Sequence, residues 1–410
     1  MRTAFLVVLI ASAARADIAV TVESAWFDTE AKGGAVQYQV RTNLPDRAIF
    51  DFALESRFDS VQGPLTRAAV RGRGEVKGGE CRGKLDGFPA AIPPGRYSLV
   101  VTVSGRQRDE VEESIGGQTR PVAERDVFVG APTALVAAFR AEVERIGTDL
   151  GQIASITSKL NEWIALSNAG KLKEKAAEYT SWHESARREI DALIERAAIF
   201  HDKYPTHFPA CYAAVNDVVL NLGDHESSLW RSAEGKTQGN DPEAMKVKSA
   251  AYVEKKLGEL KFIFIWECAF SLADLPAQLA IQATPEAGLP GRDDWGPWRR
   301  DFDEALAAFE DLARRVAPGA HERKVSAAGV EGPMGPDDSK RQLNEKRAKA
   351  IGAAAESIQA AVAGLKALIV AADGAVGSEG QALPEGLRRQ REAFLVEAEK
   401  VRGDLRTFYK

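Results

Sequence analysis

Glu267 stands inside the apolar run Phe262 to Phe270 (FIFIWECAF). A carboxylate in such surroundings must pair, take up a proton or face a cavity, because an isolated buried charge is heavily penalised. It is therefore the first candidate for acid–base chemistry; a partly exposed helix face, or an ion pair with an Arg from a neighbouring helix, would make it structural instead. The chain has five histidines, His183, His201, His207, His225 and His321. None belongs to an H-E-x-x-H pair or to a Cys/His cluster with zinc-ligand spacing, so the sequence carries no metal motif. His183 and His225 nevertheless fall on inward-facing helical positions. With Glu254 and Glu267 they are the groups between which a bundle would hold a metal or a small cofactor; satisfied core histidines produce the same pattern. Trp295 and Trp298, flanked by Asp293-Asp294 and Arg299-Arg300, suit either a stacking platform for a sugar or peptide, or a packing staple at a helix entry. No Ser-His-Asp order, nucleophile elbow, phosphate-cradling loop or dinucleotide fingerprint is present, so no catalytic residue is assigned and no cofactor is expected.

The elements that must place these groups read from their spacing. Past Ala131-Pro132-Thr133, with Thr133 as the expected cap, the periodicity becomes helical. Phe139, Val143, Ile146, Leu150, Ile153, Thr157, Leu160 and Ile164 form one stripe; Leu172, Ala176, Tyr179, His183, Ala186, Ile190, Leu193, Ala197 and Phe200 form the next. Stripes of this kind pack helices at a shallow angle. Folding back at Asn168-Ala169-Gly170 sets Phe139 against Ala197, Leu150 against Ala186, His183 against Ile153 and Ile164 against Leu172. A second hairpin turns at Gln238-Gly239-Asn240, with Pro242 at the first helical position, and sets Val215 against Phe264, Val219 against Leu260 and His225 against Glu254. It also brings Cys211 level with Cys268. Two readings are open there: a disulfide closing a loop of about 56 residues, adding about 4 kcal/mol in the chain-entropy model, or two buried thiols acting as small apolar residues.

The sequence thus predicts an elongated all-α bundle of about seven helices over residues 133–410. Its parts are hairpins 133–204 and 207–283, a shorter helix 295–317, a Gly/Pro-rich flexible loop 318–339, and helices 340–372 and 385–409. The all-round apolar stretch from Phe262 to Leu272 makes the helix that carries it central, and Pro276 is an expected kink.

Residues 17–130 read differently. Alternating runs at 18–22, 36–40, 48–54, 97–103 and 125–129, punctuated by Gly and Pro, predict an antiparallel β-sandwich of six or seven short strands. The turn Pro94-Gly95-x-Tyr97 feeding Leu99-x-Val101-x-Val103 resembles the penultimate strand of immunoglobulin-like or fibronectin-like domains. Asn43-Leu44-Pro45-Asp46 is similar to a turn common in secreted bacterial versions. The resemblance implies an immunoglobulin-like fold, which hosts adhesion, substrate docking and spacing and so assigns no activity. Cys81 is the only Cys in this region, so the inter-sheet disulfide of antibody domains cannot form. The basic stretch Arg67, Arg71, Arg73, Lys77, Arg82 and Lys84, interleaved with glycines, reads as solvated loops and edge strands.

Arg2, the apolar run Ala4 to Ala11 and Ala14-Arg15-Ala16 have the plan of a secretory signal peptide spanning residues 1–16, with cleavage after Ala16. Across 410 residues, 54 Lys and Arg face 59 Asp and Glu. Removing Arg2 and Arg15 leaves 52 against 59, or minus 7, which offers no general attraction to nucleic acid. The segment Phe262 to Leu275 is too short and too charged for a transmembrane helix. These features lead to one expectation: a secreted or periplasmic, non-enzymatic interaction or scaffolding protein whose partner is a protein or an envelope polysaccharide. Two alternatives stand beside it. One is a bundle binding a metal or small cofactor; the other is a hydrolase of envelope polymers, which would need two carboxylates about 5 to 10 Å apart in a cleft.

Overall fold

The computed structural model describes residues 17–28, 34–60, 63–88, 92–115, 120–202, 207–233, 242–285, 289, 292–322, 338–376 and 383–409. The expected signal peptide lies outside the described residues, as does most of the expected loop at 318–339. Two compact units are present: Met1–Glu55 with Ala68–Ala91 and Tyr97–Val127, and Ser56–Arg67 with Ile92–Arg96 and Phe128–Lys410.

The strands are β1 (Val20–Asp28), β2 (Ala35–Thr42), β3 (Ile49–Ser60), β4 (Gly63–Glu75), β5 (Glu80–Leu85), β6 (Gly95–Val103) and β7 (Val122–Val129). They form two sheets, ordered β1-β2-β5 and β4-β3-β6-β7. β1 runs antiparallel to β2 from Val20 opposite Thr42 to Asp28 opposite Ala35, and β2 to β5 from Val36 opposite Leu85 to Arg41 opposite Glu80. Alternation buries Val36, Tyr38 and Val40 of β2, Phe50, Phe52 and Leu54 of β3, and Tyr97, Leu99, Val101 and Val103 of β6. The two sheets meet where Tyr38 stacks on Phe52, ring centroids 4.1 Å apart. The basic, glycine-rich stretch forms edge strands β4 and β5, joined through Gly78 and Gly79, whose φ of 61° and 78° favours glycine.

A short helix, α1 (Asp109–Ile115), lies between β6 and β7 where the sequence predicts no helix. Seven residues are too few for helical periodicity to register, although Val111 and Ile115, four apart, are its buried pair and acidic residues occupy its first turn.

The second unit holds α2 (Pro132–Asn168), a 3-10 turn at Leu172–Lys175, α3 (Ala176–Asp202), α4 (Pro209–Ala233), α5 (Pro242–Ala283), α6 (Arg292–Glu322), α7 (Asp338–Asp373) and α8 (Glu385–Tyr409). α5, of 42 residues, continues through Pro276 and packs against α2, α4, α6, α7 and α8, which makes it the central helix. Its segment Glu254–Ala283 and the α7 segment Lys349–Asp373 are long and apolar enough to cross a membrane, but the first is largely buried within the unit.

Three expectations are corrected. Thr133 does not cap α2: the helix begins at Pro132, and the Thr133 hydroxyl donates to Asp301 of α6 at 2.6 Å. α6 continues to Glu322, so residues 318–322 are helical rather than loop. The main partner of α3 is α4 and not α2. Where α2 and α3 do touch, Trp163 meets Tyr179 at 5.3 Å and Arg196 donates to Asp149 at 2.8 Å, pairings displaced from those the spacing predicts. The cause is the connection: α2 runs through Asn168, and the extra turn at Leu172–Lys175 delays the start of α3.

Gly74 of β4 tests the β core. A Cβ there would lie 2.6 Å from Cys81 Sγ, 2.9 Å from the Phe52 ring and 3.0 Å from the Tyr38 hydroxyl. Gly74→Ala is expected to destabilise the β unit by roughly 1–3 kcal/mol through overpacking, read as a lowered urea midpoint in far-ultraviolet circular dichroism at the β-sheet minimum.

Candidate functional site

Helix α4 opens with Pro209 at its first position, and Phe208 O accepts the first helical bond, from Tyr212 N at 3.1 Å. Phe208 therefore occupies the N-cap, a position where Ser, Thr, Asp or Asn would satisfy the free N–H groups of the first turn. A phenyl ring cannot. Glu267 of α5 supplies the acceptor instead: Ala210 N–H donates to Oε1 at 3.0 Å and Cys211 N–H donates to Oε2 at 2.7 Å. The neighbouring turn is tied by Ser271 Oγ, which donates to His207 O at 3.1 Å.

Glu267 is 1% exposed. Burial pushes its carboxyl up to about 7, against the pull of the two backbone N–H groups and the Cys211 side chain. Neither of the structural roles expected for it, an exposed face or an Arg partner, is what compensates the charge; backbone at a helix N-terminus does so. His207 stands edge-on to Phe139 at 5.4 Å, and burial lowers its imidazole to about 4. Cys211 and Cys268 lie beside Glu267 as buried thiols rather than a disulfide, and burial, with Glu267 and Cys268 adding to it, holds the Cys211 thiol well above the ordinary thiol range. Cys81 is likewise a buried free thiol, pushed up to about 11.

His183 joins a partner that the sequence reading missed. Its Nδ1 contacts Oε1 of Glu226 on α4, and its ring lies parallel on Trp230 at 4.0 Å. The signal was available: Leu222, Glu226 and Leu229 keep the spacing of a buried stripe, and all three are buried. His225 is half-buried and lowered by that burial. Glu254 is exposed and accepts from Asn161 Nδ2 of α2 at 2.7 Å. The side chains of His201 and His321 lie outside the described residues. Among the described residues no group of three or more His, Cys, Asp or Glu is placed to hold a metal ion.

The tryptophan pair is a staple and not an exposed platform. Trp295 is buried, stacks on Trp298 at 4.4 Å, and donates from Nε1 to Asp373 of α7 at 2.6 Å. Arg299 pairs with the same carboxylate. Asp274, one turn past Ser271 on α5, is buried between Arg402 of α8 and Gln278, whose Nε2 donates to it at 2.6 Å.

Comparison with protein-family models, with curated proteins and with solved structures returned no match.

The pH dependence of stability follows from Glu267. Because its proton is held more tightly in the folded chain than in the unfolded one, its contribution is full below about pH 4 and falls as pH rises towards 7, by about 3 kcal/mol. Glu267→Gln, isosteric and uncharged, is expected to remove this slope in urea melts run from pH 4 to 8. Glu267→Leu leaves two buried N–H groups without an acceptor and is expected to cost roughly 2–4 kcal/mol at low pH as well.

Proposed function

We propose that the protein is a secreted or periplasmic, non-enzymatic interaction or scaffolding protein, an immunoglobulin-like β-sandwich followed by a helical bundle built from antiparallel hairpins. The observation that carries this reading is the use to which the chemically capable residues are put. Glu267 holds the start of α4, Glu226 holds His183 across α3 and α4, Asp274 holds Arg402, and Asp373 holds both Trp295 and Arg299. Each joins one helix to another, which favours a rigid body presenting surface over a reacting centre.

The strand order supports the immunoglobulin-like half. Lettered A to G along the chain, strands A, B and E share one sheet and C, F and G the other, with the fourth strand beside C. Trp26 on β1 stays 53% exposed, an aromatic side chain on an edge strand of the kind that binding surfaces use.

Expression of the full 410-residue chain in a secreting host is the test of export. The expected product begins at Asp17 by intact mass; a product retaining Met1 in the cytoplasm would overturn it. The mature chain, immobilised and challenged with envelope proteins and polysaccharide, is expected to retain one class saturably, competed by free chain, and to be colourless and metal-free. A stoichiometric metal or chromophore, or turnover of envelope polymer, would replace this reading with one of the alternatives.

A further inference from the structure

We infer that His183 and Glu226 form a proton-held clasp between α3 and α4, closed while the pair keeps one proton and loosened when that proton leaves at higher pH. The position of the pair gives it leverage. α3 packs chiefly on α4, with Trp163 and Asp149 of α2 touching it on another side, so the α3–α4 seam is the larger of its attachments. The pair sits within that seam, in a cluster where Tyr179 lies 5.3 Å from Trp163, 5.9 Å from Trp182 and 5.9 Å from Trp230.

Two of the buried carboxylates at α4, Glu267 and Glu226, are compensated unequally. Glu267 has an N–H on each oxygen, whereas Glu226, 0% exposed, has His183 on Oε1 and no hydrogen-bond partner for Oε2 among the described residues. With one proton on the pair, either imidazolium faces carboxylate or imidazole faces carboxylic acid, and the pair is neutral overall. The His183 ring lies parallel on Trp230, centroids 4.0 Å apart, so the pair is walled by an aromatic face on this side. Once the proton has gone to solvent through the edge of His183, whose side chain is 17% exposed, a net negative charge remains in an aromatic cluster with one hydrogen bond.

The surrounding charges do not supply a second partner. Burial raises the Glu226 carboxyl above its ordinary value; His183 and Arg187 pull it back in part, and Asp191 pushes it up. Arg187 is tied to Ser227 and Asp191. On α4, Asp224 acts on the neighbouring His225. From α2, Lys159 stands 5.4 Å over the Trp163 ring and pairs with Glu162; before α3, Lys175 pairs with Glu178; from α5, Glu254 is held by Asn161. The folded chain thus binds the Glu226 proton more tightly than the unfolded chain, so the contribution of the pair to stability falls as pH rises.

Hydrogen exchange of the mature chain, corrected for the intrinsic pH dependence of amide exchange, tests the clasp, with tryptophan fluorescence as a second readout. Exchange along α3, followed from about pH 5 to pH 8, is expected to rise roughly ten-fold, while α7 does not change. Over the same interval Trp230 fluorescence is expected to change as the pair stacked on it loses its proton, a step absent from Trp230→Phe. Glu226→Gln, a neutral isostere, is expected to flatten the α3 profile; should it not fold, His183→Gln serves the same purpose. An α3 profile that is flat in the wild type, or equally steep in the folded variant, overturns the inference.

Discussion

The first turn of α4 has no cap of its own, and the remainder of the helical unit is arranged around the remedy. Phe208 sits at the N-cap because it is needed as packing: it stacks on Phe139 of α2 at 5.5 Å and approaches Phe264 of α5 at 6.1 Å. A residue chosen for its ring leaves the N–H groups of Ala210 and Cys211 to be satisfied from elsewhere. Glu267 does this with both oxygens, aided by the positive end of the helix dipole. Capping and packing are therefore divided between two helices, and the division fixes their register. α4 cannot slide along α5 without stripping a buried carboxylate of its donors, and because α5 touches five other helices, that register propagates to them.

A carboxylate with a donor on each oxygen is a fixed point; one matched at a single oxygen is a point of adjustment. Glu267 and Glu226 lie on facing helices and are equally hidden from water, yet backbone surrounds the first and aromatic rings the second. Burial raises the carboxyl of each. What differs is what remains when the proton leaves: two N–H bonds around Glu267, one imidazole against Glu226. The sites also differ in what depends on them. Glu267 anchors the central helix, and Glu226 anchors α3, whose main neighbour is α4.

Much of this was legible in the sequence, because burial imposes a period. The alternation at 36–40 and 97–103 and the stripe from Phe139 to Ile164 correspond to β2, β6 and the buried face of α2. The α4–α5 register was also legible: placing Cys211 level with Cys268 is within one residue of the observed Cys211–Glu267 contact. The partner of α3 was not. An apolar stripe says that a face is covered and not by what, and α2 and α4 each carry one. Sequence adjacency favours α2; the structure packs α3 chiefly on α4, where His183 meets the buried Glu226. The compensation of Glu267 was illegible for a related reason, since backbone donors carry no side-chain signature.

The β unit treats its exposed edge in a way that constrains any contact it makes. The β1–β2 register shifts between Val22 and Ser24, and Arg125 of β7 donates from Nη1 to the carbonyls of Val22 and Glu23 at 2.9 and 2.6 Å. A bulge whose carbonyls are already taken by a guanidinium cannot accept a further strand at that point, which is how natural sheets keep edges from pairing with other chains. Trp26, further along the same strand, nevertheless remains in solvent. The edge is therefore guarded at the bulge by a side chain from the other sheet, while the indole of Trp26 lies in solvent a few residues on.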